Sequence, residues 1–138
     1  MSEPQLVRVL VVEDNEADVR LMLEALRECY PQPVTLASVE DGREALVLLN
    51  TGAQFDLIVL DLNLPRLDGY EFLQQRPALE VPVIVFSSSW NEEDARHAVA
   101  LGAREFIRKP SNYAEYVEAV CGFVGRWSES RSQQLSQS

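Results

Sequence analysis

The chain has few basic residues, and this shortage argues against nucleic acid as a partner. Of its 138 residues, 12 are lysine or arginine and 22 are aspartate or glutamate, which gives a net charge of −10 at pH 7. Such a balance repels the phosphates of nucleic acid. It favours instead a site that collects cations, or a protein kept dispersed by self-repulsion.

The chain also lacks the marks of membrane and exported proteins. No apolar run approaches the roughly 20 residues of a transmembrane helix. Its first residues are not a basic segment followed by an apolar one, so we expect no export signal. The two cysteines, Cys29 and Cys121, are isolated in helix-like patterns and are interpreted as buried apolar residues of a reducing compartment. We therefore expect a cytoplasmic protein without a membrane partner.

The length of the chain suits one domain with a single core. We find no internal repeat and no interdomain linker. The apolar stripe of the last helix runs from Tyr113 to Trp127, and we assign residues 1–127 to the domain. Residues 128–138 are polar and rich in serine, and we expect them to form a disordered tail.

The apolar pattern alternates between strand and helix periods. Near-continuous apolar runs at Leu6–Val12, Leu57–Leu60 and Val81–Phe86 predict interior strands, because such strands are covered on both faces. Val34–Val39 and Arg104–Arg108 alternate and predict edge strands. The result is an α/β fold of flavodoxin-like type, a doubly wound parallel sheet of five strands in the order 2-1-3-4-5 with five helices.

Reactive side chains lie where four of the predicted strands end. They are Glu13 and Asp14 after the first strand, Asp61 after the third, Ser87 after the fourth and Lys109 after the fifth. The carboxyl ends of parallel strands meet at the crevice where ligands bind. At ~6 Å and an effective dielectric constant of about 20, each carboxylate pair would repel by roughly 3 kcal/mol. The cluster therefore predicts a bound cation, and an all-oxygen site with room for water and phosphate suits Mg²⁺.

Asp61 is the best candidate for a nucleophile, because it ends a central strand between the acidic pair and Lys109. A carboxylate in this setting can attack phosphorus and form an aspartyl phosphate. The metal and Lys109 would neutralise the charge on the transferred group. Ser87 would donate a hydrogen bond to a phosphoryl oxygen.

At these residues the chain resembles the response-regulator receiver domains of two-component signalling. The resemblance extends from about Leu6 to Trp127 and rests on motifs in a fixed order. They are Val12-Glu13-Asp14-Asn15, Leu60-Asp61-Leu62-Asn63-Leu64-Pro65, Asp68-Gly69, Ser87, and Phe106 three residues before Lys109-Pro110. The resemblance implies that Asp61 accepts a phosphoryl group from a sensor histidine kinase. It also implies a Mg²⁺ ion held by Glu13, Asp14, Asp61 and the backbone carbonyl of Asn63.

The same resemblance implies a conformational switch. Ser87 and Phe106 match a hydroxyl–aromatic pair whose rearrangement alters the face formed by helix 4, strand 5 and helix 5. A cis Lys109–Pro110 bond is expected to aim the lysine inward. The altered face would signal to a downstream protein, to a histidine phosphotransfer protein, or to a second copy in a homodimer.

Three segments are similar to a narrower group. Residues 12–21, 61–65 and 87–94 together resemble single-domain regulators paired with bacterial phytochromes. This resemblance implies a bacteriophytochrome as the sensor kinase. No residues remain for a DNA-binding or catalytic output domain, so we expect a stand-alone module with slow autodephosphorylation at most, not an enzyme. His97 is expected to be exposed and without a catalytic role, and Trp90 either covers the site entrance or packs on helix 4.

Two alternatives stay open. A phosphate-independent interaction domain would often lack the acceptor or the lysine, and this chain has both Asp61 and Lys109. A phosphatase with an aspartyl intermediate generally has a second aspartate two residues after the nucleophile. This chain has Asn63 there, and an amide cannot protonate a leaving group.

Overall fold

The computed structural model describes residues 7–30, 33–62, 69–76, 81–89 and 91–137, with the backbone alone for residues 130–137. The strands and helices of this part alternate along the chain. In order they are β1 (Val7–Val12), α1 (Glu16–Cys29), β2 (Val34–Val39), α2 (Gly42–Asn50), β3 (Leu57–Leu60), α3 (Gly69–Gln75), β4 (Val83–Ser87), α4 (Glu92–Ala100), β5 (Glu105–Arg108) and α5 (Tyr113–Gln137). None of these helices combines the length and the apolar character that a bilayer crossing requires.

The strands form one parallel sheet in the order β2-β1-β3-β4-β5. The predicted fold class and strand order are therefore confirmed. The order reverses between β1 and β3, and in open α/β sheets ligands bind beside the strand ends at such a reversal.

Burial agrees with this order. Every residue of β3 and β4 is buried, and so is every residue of β1 except Arg8. No residue of β2 or β5 is fully buried, as expected for edge strands. Helices cover both faces of the sheet and create two apolar cores. One contains Met22 of α1 and Phe123 of α5, and the other contains Leu49 of α2 and Phe72 of α3.

Several element boundaries differ from the prediction. β5 begins at Glu105 and not at Arg104, and β4 ends at Ser87 and not at Phe86. β4 begins at Val83 and not at Val81, because Pro82 has no N–H to donate to a neighbouring strand. α5 continues to Gln137, beyond Trp127, where the predicted apolar stripe ends. No glycine or proline follows Trp127, and the residues that ordinarily end a helix are therefore missing. The domain boundary at residue 127 stays a prediction.

Candidate functional site

The backbone hydrogen bonds of the sheet continue one residue beyond three strands and hold the predicted site residues in place. The N–H of Asp61 donates to the carbonyl of Val12 at 3.1 Å, and the N–H of Lys109 donates to the carbonyl of Ser87 at 2.8 Å. Glu13 makes a similar bond to β2 at 3.0 Å. These bonds direct the three side chains to the same end of the sheet.

Three carboxylates meet at this end. Glu13 and Asp61 are largely buried, with 7% and 9% of their surface exposed, whereas Asp14 is exposed. One oxygen from each residue lies within 4.8 Å of the oxygens of the other two. We call Glu13, Asp14 and Asp61 the acidic cluster.

Lys109 is the cation that faces the acidic cluster. Its Nζ atom lies 3.2 Å from Oε2 of Glu13 and 3.9 Å from Oδ2 of Asp61. A third carboxylate, that of Asp18, is closer at 3.1 Å. Only 11% of the Lys109 side chain is exposed. The ammonium group is therefore held among carboxylates and shielded from water.

Burial and charge act on the protonation of these groups. Burial, together with a hydrogen bond to Asp61, raises the pKa of Glu13 from its ordinary value of 4.5 to about 7, although Lys109 acts in the opposite direction. Burial alone would lower the pKa of Lys109, but the charges of Glu13, Asp61 and Asp18 together raise it. Glu13 thus keeps its proton up to near neutral pH, and Lys109 stays charged.

The predicted switch residues lie on β4 and β5. Ser87 is fully buried, and its hydroxyl donates to Oδ1 of Asp61 at 3.4 Å. Phe106 is partly buried against the core that contains Phe72. It pairs in register with Val85, two residues before Ser87. Because side chains alternate along a strand, Ser87 and Phe106 belong to the same face of the sheet.

Sequence reasoning missed two residues of this site. Asp18, in the first turn of α1, contacts Lys109. Tyr116 of α5 is 3% exposed, and its hydroxyl donates to the backbone carbonyl of Asp18 at 3.4 Å. Asp18 follows Asp14 by four residues, but Asp14 precedes the N-cap Asn15 and is not helical, so helical spacing gives no signal of the contact.

The structure corrects one expectation and leaves others untested. Every peptide bond among the described residues is trans, so the expected cis Lys109–Pro110 bond is wrong; trans is the more stable form by about 0.5–1 kcal/mol for bonds before proline. Asn63, Asp68 and Trp90 lie outside the described residues. His97 is exposed as predicted, and its ring stacks on that of Tyr70 at 4.5 Å.

The acidic cluster has the properties of a site for a hard divalent cation. Its donors are carboxylate oxygens, which such ions prefer. Glu13 and Asp61 are largely buried, whereas Asp14 is exposed and leaves the cluster open to solvent. A bound cation would also favour the ionised form of Glu13, whose pKa is raised chiefly by burial. The residues present therefore fit a metal ion.

The order of these residues along the chain matches a known protein family. The family model described as "Response regulator receiver domain" matches residues 9–121. The chain belongs to the response-regulator receiver family. The family that the motifs predicted is thereby confirmed.

By sequence, this receiver domain is similar to a response regulator of comparable length and to part of longer proteins. It is 34% identical to the response regulator Rcp1 of Synechocystis sp. over 131 residues, which cover 88% of each protein. It is also 34% identical over 125 residues to protein-glutamate methylesterase/protein-glutamine glutaminase 2 of Methanospirillum hungatei. That match covers 86% of this chain but 35% of the longer protein.

Solved structures show the same relationship. The phosphorylated cyanobacterial phytochrome response regulator RcpA is 36% identical with a TM-score of 0.82, and the match covers 91% of this chain and 96% of RcpA. The Mn²⁺-bound form of Rcp1 is 33% identical with a TM-score of 0.77, covering 88% and 94% of the two chains. Phytochrome response regulators are therefore among the relatives of this receiver domain, as residues 12–21, 61–65 and 87–94 predicted.

Proposed function

We propose that this receiver domain is a signalling module in which Asp61 accepts a phosphoryl group from a phosphohistidine of a sensor kinase. One observation carries the proposal. The carboxylate of Asp61 is largely buried and has Glu13 as an acidic neighbour. The Ser87 hydroxyl lies 3.4 Å from its Oδ1 atom, and the Lys109 ammonium lies 3.9 Å from its Oδ2 atom. This arrangement suits a nucleophile whose product is an anion.

The proposed reaction transfers a phosphoryl group between two side chains. An Oδ atom of Asp61 attacks phosphorus and forms a new O–P bond as the N–P bond of the phosphohistidine breaks. The electron pair of that bond returns to the imidazole, whose other ring nitrogen already carries a proton, so the leaving group is neutral histidine. The Lys109 ammonium compensates the negative charge that arrives with the phosphoryl group, and the Ser87 hydroxyl can donate to one of its oxygens.

We propose Mg²⁺ as the metal of this site. Glu13, Asp14 and Asp61 would hold it, together with the backbone carbonyl of Asn63, which lies outside the described residues. When bound, the ion supplies positive charge beside the transferred phosphoryl group. The Mn²⁺-bound form of Rcp1 supports a divalent ion in a related protein.

The proposed output is a change at the face formed by α4, β5 and α5. Ser87 is in hydrogen-bond contact with Asp61, and Phe106 follows on the same face of the sheet. A phosphoryl group on Asp61 would attract the Ser87 hydroxyl. The movement of Ser87 would leave space beside Phe106, and the phenylalanine ring would turn inward. The changed face would bind a downstream protein, a histidine phosphotransfer protein or a second copy of this chain.

We infer the class of sensor kinase from the relatives. RcpA is a phytochrome response regulator whose crystal structure is of the phosphorylated form, and Rcp1 is similar over most of its length. A bacteriophytochrome histidine kinase in the cytoplasm is therefore the proposed donor. The module itself would catalyse no reaction beyond slow loss of its own phosphoryl group.

Phosphorylation can be measured directly by intact mass after incubation with acetyl phosphate and MgCl₂. We expect the wild-type chain to gain one phosphoryl group, and Asp61→Asn to gain none. Asp56→Asn is the matched control, because Asp56 precedes the same strand β3 at its opposite end, where its carboxylate accepts from the N–H of Arg8. This variant should gain the group as wild type does.

The opposite result would favour a phosphate-independent interaction domain. If the wild-type chain gains no mass from acetyl phosphate or from a phosphorylated sensor kinase, the proposal is wrong. Equal gain by Asp61→Asn would likewise exclude Asp61 as the acceptor.

A further inference from the structure

Lys109 is held by a carboxylate that the proposed reaction does not use. Its Nζ atom is closer to Asp18, at 3.1 Å, than to Asp61, at 3.9 Å. The first distance allows a hydrogen bond and the second does not. The lysine that the proposed function assigns to the phosphoryl group is therefore bonded elsewhere while Asp61 is unmodified.

The ordinary structural role of an acidic residue in a first helical turn does not account for this contact. Asn15 is the N-cap of α1, and its side chain accepts from the N–H of Asp18 at 3.1 Å. In a capping box the third helical residue would in turn accept from the N-cap N–H. Here the N–H of Asn15 donates to Glu13 at 3.2 Å, and the carboxylate of Asp18 is directed to Lys109 instead.

The backbone of Asp18 is also held in place at both its N–H and its carbonyl. Its N–H is bonded to the Asn15 side chain, and its carbonyl accepts from the buried hydroxyl of Tyr116 at 3.4 Å. Its side chain is 30% exposed. Because the backbone of Asp18 is fixed, only rotation of its side chain can follow the ammonium group if Lys109 moves toward Asp61.

We propose that Asp18 is a positioning residue that restrains Lys109, so that a phosphoryl group on Asp61 has to compete with Asp18 for the ammonium group. This inference rests on the proposed function. Once Glu13 binds a metal ion, Asp18 becomes the main carboxylate partner of Lys109. Loss of the Asp18 charge therefore frees the lysine and strengthens its bond to an anion on Asp61.

The proposal can be tested with beryllofluoride, a stable mimic of a phosphoryl group on a carboxylate, formed from BeCl₂ and NaF in saturating MgCl₂. Its apparent Kd is measured by tryptophan fluorescence, and ¹⁹F NMR detects the bound mimic. We expect Asp18→Asn to bind it about fivefold more tightly than wild type, a change of the size typical of a partly exposed ion pair. Asp18→Ser, which also removes the charge, should shift the Kd in the same direction.

Glu16→Gln is the matched control. Glu16 lies in the same first turn of α1 and is exposed, so its substitution removes the same charge from the same helix end. We expect its Kd to stay within about twofold of wild type, because screening weakens an exposed charge. Asp18→Glu keeps a carboxylate near Lys109, and we expect it to retain the wild-type Kd.

A double-mutant cycle separates an effect through Lys109 from any other effect. In a Lys109→Gln background, Asp18→Asn should leave the Kd unchanged. The inference is wrong if Asp18→Asn binds the mimic no more tightly than wild type, if Asp18→Glu behaves like Asp18→Asn, or if the gain persists without Lys109. Failure of wild type itself to bind beryllofluoride would instead contradict the proposed function, and this inference with it.

Discussion

At the scale of single residues, the site depends on a carboxyl group that burial keeps from ionising fully. Glu13 is 7% exposed, and burial together with its hydrogen bond to Asp61 raises its pKa to about 7. The unfolded chain has the ordinary value of 4.5, so between these values the folded state binds more protons. Without a metal ion, the stability contributed by this group is present below pH 4.5 and is lost as the pH rises through 7.

Glu13→Gln should therefore stabilise the metal-free protein at alkaline pH. We expect its free energy of unfolding in EDTA to exceed that of wild type by up to about 3 kcal/mol at pH 8. The difference should shrink at pH 5, because Glu13 is then neutral in the folded state. Urea denaturation at the two pH values measures it.

Exposed Glu16 provides the control for this prediction, since Glu16→Gln should change the unfolding free energy by a similar small amount at both pH values. Addition of MgCl₂ should stabilise wild type more than Glu13→Gln at pH 8. A Glu13→Gln variant that is less stable than wild type at pH 8 in EDTA would contradict the assigned electrostatics.

At the scale of secondary-structure elements, α3 packs directly on the chain that leaves β3. Gly69, the first residue of α3, donates its N–H to the carbonyl of Leu62 at 3.1 Å. A Cβ atom at Gly69 would lie 2.7 Å from the Cα of Leu62 and 3.0 Å from the carbonyl oxygen of Asp61. The absence of a side chain at Gly69 thus lets α3 begin beside the proposed phosphoryl acceptor.

Gly69→Ala should push this backbone away from its place. We expect a loss of about 1–3 kcal/mol in unfolding free energy, as for other insertions into a packed region. Phosphorylation by acetyl phosphate should be slower, because the displaced segment carries Asp61. Urea denaturation and the rate of mass gain measure the two effects.

Gly125→Ala in α5 is the matched substitution. Gly125 is exposed, and a Cβ there would meet nothing within 4 Å. We expect a gain of up to about 1 kcal/mol from the better helix propensity of alanine, with an unchanged phosphorylation rate. A Gly69→Ala variant as stable and as reactive as wild type would show that the close approach is not required.

At the scale of the whole molecule, the sequence pattern was sufficient to predict the strand order. The continuous apolar runs of β1, β3 and β4 distinguish interior strands from edge strands, since both faces of an interior strand are covered by helices. The end of α5 was not predictable in this way. Residues 128–137 are polar, and polar residues without glycine or proline can continue a helix.

The sequence was sufficient to predict those site residues that lie at the ends of strands. Glu13, Asp61 and Lys109 converge because the ladder bonds that fix them follow from strand order. Asp18 could not be placed from strand ends, because it lies on a helix and its contact with Lys109 depends on how α1 is oriented over the sheet. The hydroxyl of Tyr116 bonds the Asp18 carbonyl, but in the sequence Tyr116 cannot be distinguished from the other apolar positions of α5.

The acidic cluster, Lys109 and Ser87 are proposed to direct phosphorylation to Asp61 alone, and mapping of the modified residue tests this most directly. The chain is incubated with acetyl phosphate and MgCl₂, treated with borohydride to reduce an aspartyl phosphate to homoserine, and digested with trypsin. The tryptic peptide 44–66 contains both Asp56 and Asp61, so one fragmentation spectrum compares an acceptor with an internal control. We predict homoserine at position 61 and aspartate at position 56, with no conversion when acetyl phosphate is omitted. Homoserine at position 56 or at neither position would contradict the assignment of Asp61 as the phosphoryl acceptor.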